Sequence, residues 1–118
     1  MNRIVRRVSM TMAGAVVAAG VTVPASAAHA DPPLPCPRVF GVLCAFTGPE
    51  GHGELILLHH EEPFLAPPVR SAQNQSPFPW CLYRHPEFQG EHREIARGQS
   101  IGDLGFHARS VQPRPCPA

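Results

Sequence analysis

The stretch Cys44-Ala-Phe-Thr-Gly-Pro-Glu-Gly-His-Gly-Glu54 returns 37 residues later as Cys81-Leu-Tyr-Arg-His-Pro-Glu-Phe-Gln-Gly-Glu91. Both read C-x-[FY]-x2-P-E-x2-G-E, with no gap between the copies. A second pair of stretches, residues 65–73 and 104–112, aligns at an offset of 39 residues, so the second copy carries two extra residues in its middle. A unit of this length that occurs twice predicts two copies of one supersecondary motif, packed against each other.

Three kinds of residue recur at fixed places in both copies. An aromatic residue is followed seven positions later by glycine, and a serine comes near the end. These residues are Phe46, Gly53 and Ser71 in the first copy, and Tyr83, Gly90 and Ser110 in the second. A glycine at a fixed place predicts a positive φ or a close approach of the backbone. The serine hydroxyl is suited to capping the backbone groups of a turn.

The pattern of apolar residues and prolines predicts an all-β fold. Fourteen prolines follow residue 30, and no window shows a helical apolar stripe with start and stop signals. Residues 39–46 and 54–58 are apolar and β-prone, whereas residues 72–79 are typical of a linker. Each copy is expected to form four short strands in a Greek key, at about 39–73 and about 80–113. The two copies would form one small disulfide-stabilised β-sandwich.

Residues 1–30 have the composition of a signal peptide. Three arginines give a basic start, residues 10–23 are apolar or small, and two Ala-x-Ala sites follow. We expect cleavage after Ala30, or alternatively after Ala27, which would release residues 31–118 to the outside of the cell. A retained membrane anchor is the alternative, but an apolar run of 14 residues is short for a bilayer.

The charge balance excludes two classes of partner. Residues 31–118 hold seven arginines, no lysine and nine acidic residues, a net charge of −2 with histidine neutral. A nucleic-acid-binding domain would show a basic patch or stripe, and a polybasic membrane-surface peptide would be rich in lysine and arginine. We therefore expect that the chain binds neither nucleic acid nor, after removal of the signal peptide, a membrane. We also expect a monomer.

The spacing [FY]-x6-G, with a serine about twenty residues on, resembles the Greek-key motif of the βγ-crystallins. The second copy matches at Tyr83, Phe88, Gly90, Gly98, Leu104 and Ser110. The first copy keeps Phe46, Gly53, Leu65 and Ser71, with Gly51 in place of Phe88. With its signal-like start and Cys-x-[FY] pairs, the chain is similar to the actinobacterial peptidase inhibitor family typified by the Streptomyces metalloproteinase inhibitor. That resemblance implies a secreted, non-enzymatic protein whose partner is a peptidase, and the class it leads us to expect is a zinc metallopeptidase.

The calcium-binding pattern of the crystallin motif is missing from both copies. In that pattern, [ND]-[ND]-x-x-[ST]-S, the second copy has Gly105-Phe106 at the acidic pair and Arg109 before the serine. The first copy has Ala66-Pro67 and Arg70 at the same places. Calcium takes several oxygen ligands, commonly carboxylates, so we expect neither calcium nor another cofactor to bind.

The sequence contains no convincing motif for metal binding or for catalysis. The run His59-His60-Glu61-Glu62 contains metal-ligating residue types, but adjacent residues of a strand point to opposite faces. No HExxH occurs and the cysteine spacings do not match a zinc site. The repeat-paired glutamates, Glu50 with Glu87 and Glu54 with Glu91, are better interpreted as turn residues than as acid/base pairs. The sequence therefore predicts no catalytic and no metal-binding residue.

An inhibitor needs a rigid loop that its target enzyme cannot cleave productively. The proline-flanked stretch Glu62-Pro-Phe-Leu-Ala-Pro-Pro68 is the candidate inhibitory loop, with Phe64 and Leu65 as its bulky apolar residues. The repeat, however, also places Leu65 in the shared core. Ser76-Pro-Phe-Pro79 is a second candidate loop. Two other functions stay open, namely a structural or stress-related module without inhibitory activity and a small antimicrobial or toxin-like effector.

Four cysteines in residues 31–118 predict two disulfides. In a Greek key the fourth strand lies antiparallel beside the first, so the start of a copy meets its end. This favours Cys81–Cys116, which leaves Cys36–Cys44. The alternative, Cys44–Cys81 with Cys36–Cys116, would tie equivalent positions of the two copies together.

Overall fold

The computed structural model describes residues 32–118, and the expected signal peptide, residues 1–30, lies outside them. Seven strands occur in the described part of the chain: β1 Leu43–Phe46, β2 Leu55–Leu58, β3 Ser71–Asn74, β4 Trp80–His85, β5 Gln89–Ile95, β6 Ser100–Ile101 and β7 Ser110–Gln112. Among the same residues one 3-10 turn occurs, Pro49–Gly51, directly after β1. No helix among residues 32–118 is long and apolar enough to cross a membrane.

The strands form two antiparallel sheets. The first sheet has the order β2-β1-β3-β6 and the second has the order β5-β4-β7. In each copy of the repeat the last strand pairs with the first, β3 with β1 and β7 with β4. The recurring aromatic stands opposite the recurring serine in both copies, Phe46 opposite Ser71 and Tyr83 opposite Ser110. Each copy is therefore a Greek key, and the two copies have the same register.

The two copies exchange the segments between their second and last strands, although only the second copy forms the expected third strand there. The third strand of the second copy, β6, pairs with β3 and so completes the first sheet. In the first copy, Glu62 lies between the second and last strands and forms a bridge to Val111 of the second sheet. Because each copy contributes to both sheets, neither copy can bury its apolar face without the other.

The core lies between the sheets. Its members come from both copies and are Leu43, Ala45, Leu58, Leu65, Val69, Ala72, Trp80, Leu82, Ile95, Ile101, Leu104, Phe106, Ala108 and Val111. A smaller apolar cluster of Leu34, Cys44 and Phe46 forms on the other face of β1. The first strands β1 and β4 are therefore buried on both faces, which explains their apolar sequences.

Two disulfides tie the ends of the described chain to these buried strands. Cys36 bonds Cys44 of β1, and Cys81 of β4 bonds Cys116. Cys44 and Cys81 are equivalent residues of the repeat, so each copy secures one end of the domain at the same place. The two disulfides close loops of very different length, with sequence separations of 8 and 35 residues.

Two expected boundaries differ from the structure. The predicted strand over residues 39–46 begins only at Leu43, because Gly41 adopts a positive φ of 92° in a turn. The predicted linker over residues 72–79 begins later, because β3 extends to Asn74 and pairs along its length with β1. The first boundary was therefore decided by a local turn, and the second by strand pairing, which depends on distant residues.

Candidate functional site

The recurring serines hold the turn that follows the first strand of each copy. In the first copy the Ser71 hydroxyl donates to the carbonyl oxygen of Gly48 at 2.8 Å and accepts the N–H of Gly51 at 3.0 Å. Ser110 makes the equivalent two bonds in the second copy, at 2.6 and 2.9 Å. Both serines are fully buried. These hydroxyls replace the water that would otherwise satisfy the turn backbone, and they fix its shape.

The recurring glycines are required by backbone conformation. Gly53 has a φ of 86° and Gly90 a φ of 85°. A Cβ atom at Gly53 would collide with the side chain of Thr47, and one at Gly90 would collide with the ring of His85. Any other residue would be both strained and sterically blocked at these positions.

The candidate inhibitory loop is bonded to the last strand of the second copy. The backbone groups of Glu62 and Val111 exchange two hydrogen bonds, of 2.9 and 3.0 Å. Three residues on, the N–H of Leu65 donates to the carbonyl oxygen of Arg109 at 2.8 Å. The segment between Glu62 and Leu65 is therefore anchored at both ends to the second sheet.

A third contact fixes the middle of this segment. The carbonyl oxygen of Pro63 accepts the N–H of Glu87 at 2.8 Å, from the turn that Ser110 caps. Phe64, the next residue, is 65% exposed. The structure thus presents a single large apolar side chain on a backbone that is held before and after it.

Leu65 cannot serve in an inhibitory loop. Its side chain is only 8% exposed and belongs to the core cluster between the sheets. The sequence predicts Phe64 and Leu65 together as the bulky residues of the loop, but the structure separates them, because Phe64 lies in an exposed turn whereas Leu65 packs into the core. Of the two candidates only Phe64 is accessible to another protein.

The second candidate loop is rigid for a different reason. Ser76 is buried, and its hydroxyl donates to Asn74 Oδ1 at 2.7 Å and accepts the indole N–H of Trp80 at 2.9 Å. The Asn74 amide nitrogen donates to the carbonyl oxygen of Phe78 at 2.6 Å. Phe78 is 57% exposed. This loop is therefore built around a buried polar network, with one exposed aromatic residue.

Arg70 and Arg109 lie where the crystallin motif has part of its calcium-binding pattern, and both contact other groups of the domain. Arg70 Nε donates to Asp103 Oδ1 at 2.9 Å. The pKa of Asp103 is lowered below its ordinary value of 3.8. The main cause is the hydrogen bond from the N–H of Gly105, and the second is the bond from Arg70. In the second copy, the Arg109 guanidinium donates at 3.4 Å to the carbonyl oxygens of Arg84 and His107. The absence of calcium binding stays a prediction.

The remaining metal and acid/base candidates are the histidine–glutamate run at residues 59–62 and the turn glutamates. His59 and His60 are exposed, and His60 Nδ1 lies 3.7 Å from Glu62 Oε2. No group of three metal-ligating side chains occurs within residues 32–118. Glu50 and Glu87 have positive φ values of 54° and 59°, which places both in tight turns.

The sequence profile of peptidase inhibitor family I36 matches residues 29–95, more than half of the chain. That match covers the first copy, the linker with its exposed Phe78, and the first two strands of the second copy. The candidate Phe64 lies inside the matched range. A search of curated protein sequences gives no significant match.

Solved structures of similar fold confirm the crystallin-like architecture. One is described as IPSE alpha-1, an IgE-binding crystallin, and shares 20% identity over 62% of this chain and 81% of that chain, with a TM-score of 0.52. Another, IPSE/alpha-1 from Schistosoma mansoni eggs, shares 21% identity over 63% of this chain and 84% of that chain, also at 0.52. At this level of identity the likeness concerns the fold alone, and it confirms the predicted all-β, crystallin-like class.

Proposed function

Because the chain belongs to peptidase inhibitor family I36, we propose that it inhibits a secreted zinc metallopeptidase by inserting Phe64 into the enzyme's apolar substrate pocket. The observation that carries this proposal is the exposed Phe64 side chain between backbone groups that are bonded to the second sheet. Thermolysin-like metallopeptidases accept bulky apolar side chains, which is the reason for choosing that class.

Rigidity supports tight binding by such a loop. A flexible peptide loses conformational freedom when a peptidase orders it, whereas the segment around Phe64 is already ordered by bonds at Glu62, Pro63 and Leu65. Burial of one phenylalanine side chain contributes about 1.5–3 kcal/mol. A central aromatic anchor of this kind is typical of the residues that dominate protein–protein affinity.

The same bonds would oppose productive cleavage. Hydrolysis next to Phe64 would leave both new chain ends attached, one through Glu62 to Val111 and the other through Leu65 to Arg109. Held ends cannot diffuse from the cleft, so the reverse reaction competes with product release. The target peptidase would therefore remain occupied instead of turning over.

An extracellular location is part of this proposal. Two disulfides persist in oxidising compartments outside the cell, and residues 1–30 have a signal-peptide composition. N-terminal sequencing of the protein from culture medium should give a chain that starts at Asp31, or alternatively at Ala28. Recovery of a chain that starts at Met1, only inside cells, would contradict secretion.

Titration against a panel of secreted zinc, serine and cysteine peptidases tests the proposal. We expect stoichiometric inhibition of a zinc metallopeptidase and a 10- to 1000-fold weaker inhibition constant for Phe64→Ala, about 1.4–4 kcal/mol. Phe78→Ala removes an aromatic that is 57% exposed, against 65% for Phe64, and is the matched control, which should inhibit like the wild type. Inhibition of another class alone would reject the metallopeptidase assignment. Absence of inhibition across the panel would favour a structural module.

A further inference from the structure

The second strands of the two copies lie at open edges of the sheets. β2 is the outermost strand of the first sheet and β5 is the outermost strand of the second sheet at the equivalent place. An outermost strand carries backbone N–H and C=O groups that no neighbouring strand satisfies, and proteins usually protect such an edge. The two copies differ in this protection.

The hydrogen bonds between β1 and its neighbouring strands show which residues of β2 face outward. The carbonyl oxygen of Glu54 accepts the N–H of Thr47 at 3.1 Å, so Glu54 faces the neighbouring strand. Phe46, opposite Leu55, instead faces the other way, since its carbonyl oxygen accepts the N–H of Arg70 at 2.7 Å. Because the pattern alternates in an antiparallel pair, the backbone groups of Leu55 and Leu57 point to the open edge.

The equivalent edge in the second copy is protected by charge. The residues that correspond to Leu55 and Leu57 are His92 and Glu94. Glu94 Oε1 also accepts the N–H of Cys116 at 2.8 Å, which ties the end of the chain to this strand. Polar and charged side chains on an outer strand are one of the devices by which proteins prevent strand-to-strand association.

The β2 edge is apolar instead. All four of its residues are leucine or isoleucine. Leu55 is 42% exposed, and Leu57 is partly buried against the small cluster that contains Leu34 and Cys44. The cluster thus reaches the open edge of the sheet, and there the apolar surface of Leu55 is left exposed to solvent. Additional apolar surface from another strand would complete it.

We propose that two copies of this chain associate through their β2 strands, antiparallel and two-fold symmetric, to form one continuous eight-stranded sheet. Outward-facing residues must pair with outward-facing residues, which restricts the symmetric registers to alternate positions. With Leu57 opposite Leu57 of the second copy, Leu55 stands opposite His59 and Glu54 opposite His60. This register joins the two small clusters and gives each Glu54 carboxylate an imidazole as hydrogen-bond partner.

A second copy fits this edge better than an unrelated peptide. The strand is its own complement in that register, because no like charges face each other. Registers shifted by two residues in either direction place Glu54 opposite Leu58 or Leu55 opposite Glu61, and both would desolvate a carboxylate against leucine. The association would be weak, since the pairing of two short strands buries less area than a stable interface needs.

This inference differs from the monomer expected from the sequence. Charge and length alone did not show that the LILL strand lies at a sheet edge, since a strand of that composition is more often central. The order of strands in the folded sheet provides that information. The inference does not depend on the proposed inhibition, because it is tested without a peptidase.

Sedimentation equilibrium of the purified domain, from about 1 µM to about 1 mM, tests self-association. We expect the average mass to rise towards twice the monomer mass within that range. Leu55→Lys should stay monomeric throughout, because a charge at the edge blocks pairing. Phe78→Lys is the matched control, with the same change at another exposed apolar residue, and should associate like the wild type. A monomeric wild type, or association of Leu55→Lys equal to the wild type, would overturn the proposal.

Amide hydrogen exchange tests the register and covers the case in which Leu55→Lys disturbs folding. Raising the wild-type concentration should slow exchange at Leu55 and Leu57, whose N–H groups face outward. Exchange at Ile56, whose N–H faces β1, should stay unchanged. Slowing at other strands instead, with no change at Leu55 and Leu57, would assign any dimer to a different surface and reject the β2 contact.

Discussion

Phe64 and Asp103 occupy equivalent positions in the two copies of the repeat, and they are used differently. The carbonyl just before each residue accepts an N–H from a turn glutamate of the other copy, at 2.8 Å from Glu87 and at 2.6 Å from Glu50. The backbone frame around both positions is therefore the same. The Asp103 carboxylate accepts a hydrogen bond from Arg70, whereas Phe64 presents a bare apolar side chain that is 65% exposed.

The next residue along the chain completes the comparison. Leu65 and Leu104 each donate to the carbonyl oxygen of an arginine of the other copy, Arg109 and Arg70, at 2.8 Å in both cases. Both leucines are buried in the core. The repeat thus preserves the backbone contacts around these two positions. On the surface the copies differ at Phe64 and along β2, which is where a binding function can arise without loss of the fold.

The largest expected difference between the copies concerns the disulfides. Chain-entropy arguments for loops of 35 and 8 residues predict losses of about 4 kcal/mol for Cys81→Ser with Cys116→Ser and about 2.5 kcal/mol for Cys36→Ser with Cys44→Ser. Denaturant unfolding at 25 °C measures both double variants. An equal or larger loss at the short loop would show that native packing, not loop closure, sets these contributions.

The pairing itself can be checked with trypsin under non-reducing conditions. Arg70 is the only arginine between residues 45 and 80, and the chain has no lysine. Cleavage there should release two separate halves, each with its own disulfide. Halves that stay joined until reductant is added would mean that the cysteines of the two copies are bonded to each other.

The serine caps should matter equally in both copies. Ser71→Ala and Ser110→Ala each leave a buried N–H and a carbonyl oxygen without the hydroxyl, at a cost of about 1–3 kcal/mol. Ser100→Ala is the control, because its hydroxyl makes one bond of 2.9 Å to Gln73 in a partly buried place. Thermal unfolding should show two similar losses and a smaller third. Unequal losses of stability in Ser71→Ala and Ser110→Ala would show that the two serine caps are not energetically equivalent.

The smallest effect is expected at Asp103. Its pKa is lower in the folded chain than its ordinary value of 3.8. The stabilisation is therefore present above that value and is lost as the pH falls through the folded-state pKa. Asp103→Asn should weaken the dependence of stability on pH in the acid range, whereas Phe64→Asn, at the equivalent position, should leave it unchanged. If the acid-range dependence of stability is unaltered in Asp103→Asn, then the bonds from the Gly105 N–H and from Arg70 to this carboxylate add nothing measurable to stability.

Several features of this protein were determined by the sequence alone, because each depends on a single residue type. Only glycine fits the positive φ at Gly53 and Gly90, and a buried hydroxyl such as that of Ser71 or Ser110 satisfies turn backbone groups locally. Because these requirements are local, their recurrence at a fixed spacing predicted two Greek keys and a crystallin-like sandwich.

The tertiary structure alone decided which residues are free to bind a partner. Two neighbouring residues of one proline-rich loop differ in solvent exposure, since Phe64 is exposed and Leu65 is buried. The outer place of β2 follows from the exchange of segments between the copies. Exposure depends on where distant segments pack, such as the turn of Glu87 against Pro63. No local pattern of residue types encodes the packing of segments that lie far apart along the chain.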